Sequence, residues 1–145
     1  MGDRPKGRGY LPFVPSVAPL KEKYRISDRY GYRTHPISGE RQFHAGLDMA
    51  AVYAATVHAA ASGTVTFAGE TPGYGKTVVV THRFGFQTRY AHLTLIYTRK
   101  GAEVEKGDVI GFVGSTGIST GNHLHYEVIK NQKRINPLNF IYGTK

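Results

Sequence analysis

The chain contains no cysteine. That absence excludes disulfides, thiolate metal sites, iron–sulfur clusters and a cysteine nucleophile, and it leaves the redox compartment unreadable. Tryptophan is absent as well. No apolar run approaches the length of a membrane span. No basic start followed by an apolar stretch and a small-residue cleavage site is seen, so no signal peptide is expected in this chain. Gly 18 and Pro 7 in 145 residues fall short of a disordered composition. No stretch of ten or more residues keeps a 3.6-residue apolar period, so little helix is expected. The length fits one domain, or one domain with a short tail, able to bury a core without staples.

What the chain has in excess is positive charge. Lys+Arg 19 against Asp+Glu 10 gives a net charge of +9, a balance that favours anionic partners. The basic residues are spread from Arg4 to Lys145 and are densest in the first 41 positions. Residues 1–22 carry Pro5, Pro12, Pro15 and Pro19 among glycines and basic residues. Prolines at that density prevent a regular helix or central strand. An arm or linker is expected there, packing through Tyr10, Leu11 and Phe13, and the domain proper is expected over 23–145.

From about residue 23, short β-rich runs alternate with glycine punctuation. Thr56–Ala60, Thr64–Ala68, Thr77–Thr81, Gln87–His92, Val109–Val113 and Leu124–Ile129 read as strands. Ser62-Gly63, Pro72-Gly73, Gly85, Lys106-Gly107, Gly114 to Gly121 and Asn131 supply the turns. Ala45 to Ala61 is the best helical alternative, weakened by Gly46, Val52, Thr56 and Val57. The expected fold is all-β: a sandwich of short antiparallel strands with a groove lined by loops.

Seven histidines is a high count for this length. Two pairs stand out: His44 with Asp48, and His123 with His125. Residues two or four apart in an extended chain face the same side. So His123 and His125 share a strand face, and His44 and Asp48 do too if their segment is extended. Three or four such side chains converging would form a nitrogen/oxygen site suited to Zn²⁺, with iron, nickel or copper as rivals. Zinc with an open position brings the pKa of water to about 7. A histidine beside the metal could move a proton or stabilise an oxyanion; spacing alone does not say which of the second pair that is. Tyr90-Ala91-His92-Leu93 adds a third histidine at a strand end. The glycine-rich loop before His123 lacks the Lys-Ser/Thr ending of a phosphate cradle. It suits close approach of backbone to an extended substrate.

Phe43-His44-Ala45-Gly46-Leu47-Asp48, Tyr90-Ala91-His92-Leu93 and Gly121-Asn122-His123-Leu124-His125-Tyr126-Glu127-Val128 resemble, in order, the three motifs of the lysostaphin/LytM-type zinc metallopeptidases. The likeness covers roughly residues 27–141. It implies a bacterial zinc endopeptidase that cuts peptide cross-links of peptidoglycan outside the cytoplasm. By motif position it makes His44, Asp48 and His125 the zinc ligands, and His92 and His123 the catalytic histidines. The family fold is a β-sandwich with the site between loops. Partners so implied are peptidoglycan peptide stems and anionic wall polymers; a monomer is expected. The Gly31-Tyr32-Arg33 lead-in with Pro36 and Gly39 looks like the branch that cuts D-alanyl–diaminopimelate bonds.

Two departures stand out. Asn122 replaces a proline common before the His-x-His pair, and Ser38 to Gln42 lacks the tyrosine that some relatives carry there. The alternative reading is a non-catalytic module of the same fold that binds cell wall or activates another wall hydrolase, with residues 1–22 over the groove. A nucleic-acid binder has no helix-turn-helix, zinc finger or aromatic RNP-type run to support it. His58 and His82 read as structural and Val78–Val80 and Ile110–Val113 as core. Arg33 and Arg41 read as solvated surface near the first motif, and His35 as a turn residue near the rim.

Overall fold

The computed structural model describes residues 11–34, 36–119 and 121–141, with the side chain of Leu11 left aside. Tyr10, His35 and Thr120 therefore lie outside the described residues.

Twelve strands are described: β1 (Arg25–Asp28), β2 (Gly31–Thr34), β3 (Arg41–His44), β4 (Leu47–Ala50), β5 (Thr56–His58), β6 (Gly63–Thr71), β7 (Gly75–Thr81), β8 (Phe86–Ile96), β9 (Glu103–Val104), β10 (Val109–Val113), β11 (His123–Lys130) and β12 (Lys133–Ile135). Two short 3-10 turns, Leu11–Phe13 and Pro137–Asn139, are the helical content among the described residues. The fold is thus nearly all-β and its pairings are antiparallel. Ala45 to Ala61 is not a helix. It splits into β4 and β5 around a turn, as its β-branched residues favour.

The main sheet runs β1-β4-β11-β8-β7-β6-β9, and β2-β3 forms a separate hairpin. β8 pairs with β11 and β7, and its distal part with β10, which in turn carries β5. The sheet therefore branches along β8, and the branch encloses the core. Leu47, Met49, Val57, Val65, Val78, Val80, Tyr90, Leu93, Ile110, Val113, Leu124, Tyr126 and Val128 are buried there.

Residues 11–22 follow the β5 side of the domain. Leu20 bridges Val57 and is buried. Pro19 O accepts from the His58 amide at 2.7 Å, and Pro12 O from the Ser62 amide at 2.6 Å. Phe13 meets Phe84 edge-on, with the Arg83 guanidinium over its ring.

Both histidines read as structural are buried and fully bonded. His58 holds Gly107 O through Nδ1 (2.8 Å) and Thr56 Oγ1 through Nε2 (2.9 Å). His82 sits in a polar thread through the core, and its direction follows from chemistry. A carbonyl only accepts, so His82 Nδ1–H donates to Ser62 O at 2.8 Å. Its Nε2 then accepts from Thr88 Oγ1 at 2.8 Å. Thr88 Oγ1 accepts from the Tyr90 hydroxyl at 2.6 Å, which accepts from the Ala60 amide at 2.9 Å. The thread satisfies each buried polar group in turn, and a neutral imidazole suits it.

Burial pushes His82 down to about 4 from its ordinary 6.5, only partly opposed by the bond to Ser62. Between those pH values the unfolded chain binds a proton at this position that the folded chain refuses. Stability therefore falls as pH drops below 6.5, and the loss is complete near 4. At about 1.4 kcal/mol per pKa unit, this single group accounts for roughly 3 kcal/mol. Urea unfolding of metal-free protein across this range should show a shallower acid limb in His82→Gln than in wild type; parallel limbs would refute the assignment.

Candidate metal centre

Strand register builds the site. β11 lies between β4 and β8, and His125 stands opposite Asp48 on one side and Ala91 on the other. Directly opposed residues share a face. His123, two residues along β11, shares it as well. His44 arrives differently. It ends β3, the chain bends at Ala45-Gly46, and Asp48 lies on β4. The segment is not extended throughout, so the pair meets through a bend rather than by sharing a strand face.

Gly46 makes that bend possible. A Cβ there would lie 2.7 Å from Tyr126 O, 2.8 Å from His125 Cε1 and 2.9 Å from Glu127 Cγ. All three are closer than packed atoms approach, so the backbone can pass β11 only without a side chain.

His92 is brought in by a bulge. Its neighbour Ala91 faces the Asp48 side, so strict alternation would turn His92 away. The β7 partners shift here: Lys76 opposes Leu93 while Val78 opposes Tyr90, leaving one extra residue on β8. His92 takes φ 64°, the left-handed region that non-glycine residues rarely adopt. Bulges of this kind re-aim a side chain beside functional sites. The neighbouring loops lock together there: Gly75, at φ +70°, lets Thr116 approach so closely that no Cβ would fit.

The result is one pocket of about 440 Å³ lined by His44, Asp48, His92, His123, His125 and Tyr74, with Arg33 and Asp28 on its wall. Ligand atoms of His44, Asp48 and His125 all lie within 4.8 Å of one another, the spread of donors around one ion. His44 Nε2 is 3.3 Å from Asp48 Oδ2, and His125 Nδ1 is 2.8 Å from Asp48 Oδ1. His123 Nε2 is 3.8 Å from Asp48 Oδ1. The His92 and His123 rings lie 4.7 Å apart between centroids, beside that cluster.

Each histidine has its outer nitrogen occupied. His44 Nδ1–H donates to Arg29 O (3.0 Å), and His92 Nδ1–H to Thr116 O (2.6 Å). His123 Nδ1 sits 3.1 Å from Gly121 O and 3.2 Å from Ser119 Oγ. These bonds leave three Nε2 atoms pointing inward. His125 is reversed: Nε2 is 2.8 Å from Glu127 Oε2, and Nδ1 faces the cluster. Sequence spacing gave no hint of the reversal, nor of Glu127 as a partner.

Electrostatics follow the contacts. Burial alone would raise the Asp48 pKa, but its bonds to His125 and His44 win and hold it well below the usual carboxylate range. Burial alone would lower His125; Asp48 and Glu127 outweigh it and push the imidazole up to about 9. His92 is held below its ordinary value, chiefly by burial. Arg33, read as solvated, pairs with Asp28 on the pocket wall. Tyr74, part of the Gly73-Tyr74-Gly75 segment that the family likeness includes but to which the sequence assigned no role, lines the pocket.

Comparison with known proteins places this geometry in a family. The model of peptidase family M23 matches residues 42–137, more than half of the chain. The chain belongs to peptidase family M23. "DD-carboxypeptidase/endopeptidase Mpg" of Neisseria meningitidis is 48% identical over 120 residues, covering 83% of this chain and 28% of that protein. "Peptidoglycan DD-endopeptidase ShyA" of Vibrio cholerae is 36% identical over 121 residues, covering 83% and 28%. The M23 chain thus spans under a third of the length of these curated relatives.

Among solved structures, a zinc-containing peptidase from Vibrio cholerae aligns at TM-score 0.79 and 32% identity, covering 86% of this chain and 39% of that one. The catalytic domain of lysostaphin from Staphylococcus simulans aligns at TM-score 0.73 and 30% identity, covering 81% and 91%. The expected likeness and the all-β M23 fold both hold.

Gly46→Ala should lower unfolding stability by about 1–3 kcal/mol, the usual result of overpacking. Because the added methyl meets His125, the variant should also lose metal uptake, measured by zinc content beside thermal melts. Unchanged melting and zinc content would show that the close approach carries no constraint.

Proposed function

We propose that this M23 chain is a zinc-dependent endopeptidase that hydrolyses peptide cross-links of bacterial peptidoglycan outside the cytoplasm, cutting D-alanyl–diaminopimelate bonds. The convergence of His44, Asp48 and His125 in one pocket, with His92 and His123 alongside, carries the reading. The names of the Neisseria and Vibrio relatives support the endopeptidase activity and the wall substrate. The Gly31-Tyr32-Arg33 lead-in supports the bond. In this reading residues 23–145 form the peptidase domain, residues 1–22 an arm, and a monomer acts on peptide stems. The +9 charge suits anionic wall polymers. No described helix is long and apolar enough to cross a membrane.

The donor set fits zinc: two imidazoles and a carboxylate, their inward atoms meeting one another around one point, and no thiolate present. His44 Nε2, Asp48 and His125 Nδ1 would hold the ion. Bound there, zinc supplies Lewis acidity that polarises a peptide carbonyl and acidifies water.

The remaining steps belong to this chain's own groups. His92, kept neutral by burial and fixed by Thr116 O, presents a free Nε2 able to take a proton from the attacking water. His123 presents its Nε2 from the next strand, placed to meet charge developing on the carbonyl oxygen or to return a proton to the departing amine. Ile118 and Ser119, from the glycine-rich loop before β11, line the pocket beside His123.

The test is mass analysis of muropeptides released from purified sacculi of defined cross-link. His92→Ala and His123→Ala should keep zinc yet lose about 10²- to 10⁴-fold in release. His44→Ala, Asp48→Ala and His125→Ala should lose zinc and release together. Wild-type release that chelators and all five substitutions leave unchanged would end the proposal. Zinc-loaded protein that frees no product would favour the non-catalytic module.

A further inference from the structure

The most deeply buried charged group beside the site is not one of the residues given a role above. Glu127 has no solvent exposure. An unpaired carboxylate so placed would cost several kcal/mol, and the chain surrounds it with donors. Oε2 lies 2.8 Å from His125 Nε2 and 3.1 Å from the Tyr74 hydroxyl, which donates to it. Oε1 accepts from Arg134 Nε at 3.0 Å and has Arg89 Nε at 3.8 Å.

These partners come from separate parts of the fold. Tyr74 sits in the β6–β7 turn, Arg89 on β8 and Arg134 on β12. Tyr74 is held on its other side too, its carbonyl accepting the His92 amide at 2.8 Å and its ring lying 5.4 Å from His125.

We infer that Glu127 is a positioning residue that selects which nitrogen of His125 faces the metal, with Tyr74 and Arg134 holding its carboxylate in place. The inference rests on the reading of His125 as a metal ligand. A neutral imidazole carries one proton. In the metal-free protein both nitrogens of His125 meet carboxylates at 2.8 Å and donate to them, Nδ1 to Asp48 and Nε2 to Glu127. A metal would replace the Nδ1 proton, and Glu127, which can only accept, would keep the other on Nε2. The other three histidines use backbone carbonyls or a hydroxyl at their outer nitrogens and present Nε2. His44 has the Asp28 carboxylate 3.9 Å from its outer nitrogen, but among the four only His125 has one at hydrogen-bond distance there, and only His125 presents Nδ1. Carboxylates behind metal-binding imidazoles fix ring orientation and raise ligand basicity, and their loss weakens metal affinity by about 10- to 100-fold.

A merely structural ion pair between Glu127 and Arg134 would predict something else: variants that melt earlier but, while folded, bind zinc as wild type does. The experiment measures zinc affinity by chelator competition at fixed pH, alongside melting of the metal-free protein. Subjects are wild type, Glu127→Gln, Glu127→Leu, Tyr74→Phe and Arg134→Gln. Glu127→Leu should weaken zinc binding by about 10- to 100-fold, with Glu127→Gln between it and wild type because one acceptor oxygen remains. Tyr74→Phe and Arg134→Gln should weaken zinc by a few-fold each.

If the Glu127 variants do not fold, Tyr74→Phe and Arg134→Gln decide alone. Zinc affinity within twofold of wild type in every folded variant would overturn the inference. Wild type that binds no zinc would instead sink the metal-centre reading on which it stands.

Discussion

The pairing of β4 with β11 is the constraint on which the site depends. It sets Asp48 opposite His125, and their 2.8 Å contact brings a carboxylate and an imidazole together from positions far apart in sequence. A slip of one residue would turn either side chain to the other face of the sheet. The register is secured by what lies on the core side. Leu47, Met49, Leu124 and Tyr126 alternate with the site residues and are fully buried. The hydrophobic face of the two strands thus sets the geometry of the polar face. The energy that holds the site comes from burying apolar side chains, not from attraction among the site's charges.

Around that pair, proton placement is organised from outside. Backbone carbonyls of Arg29, Thr116 and Gly121, and the carboxylate of Glu127, each meet one histidine nitrogen and leave the other for the pocket. A site assembled this way does not depend on side-chain rotamers chosen at the moment of binding. The irregular parts of the fold, including the bend at Gly46 and the bulge at His92, lie where the ladder would otherwise aim these residues elsewhere.

Much of this was legible in the sequence because it is carried by local pattern. The β-branched runs marked the long strands, and Val109–Val113 matches its expected bounds. The three motifs in order pointed to the family that the comparison then showed. β1 to β4, β9 and β12 were not foreseen, since four residues or fewer with weak alternation carry little periodic signal. Spacing let His44 and Asp48 share a face only if their segment were extended; it is broken by a bend, and they meet across it. Nothing in the sequence marked the three-body contact of Gly46 with His125 and Glu127. Glu127 itself reads as one more residue of a strand; only the tertiary fold surrounds it with Tyr74, Arg89 and Arg134.

The bulge at His92 also says how such a site could fall silent. Removing one residue from β8 at that point would restore even pleating with β7, a change that most of the sheet would absorb. Taken at Leu93, just beyond His92, the deletion would turn the imidazole to the face opposite Ala91. Loss of this histidine therefore does not need its replacement. A one-codon deletion there would keep the histidine in the chain and take it out of the pocket.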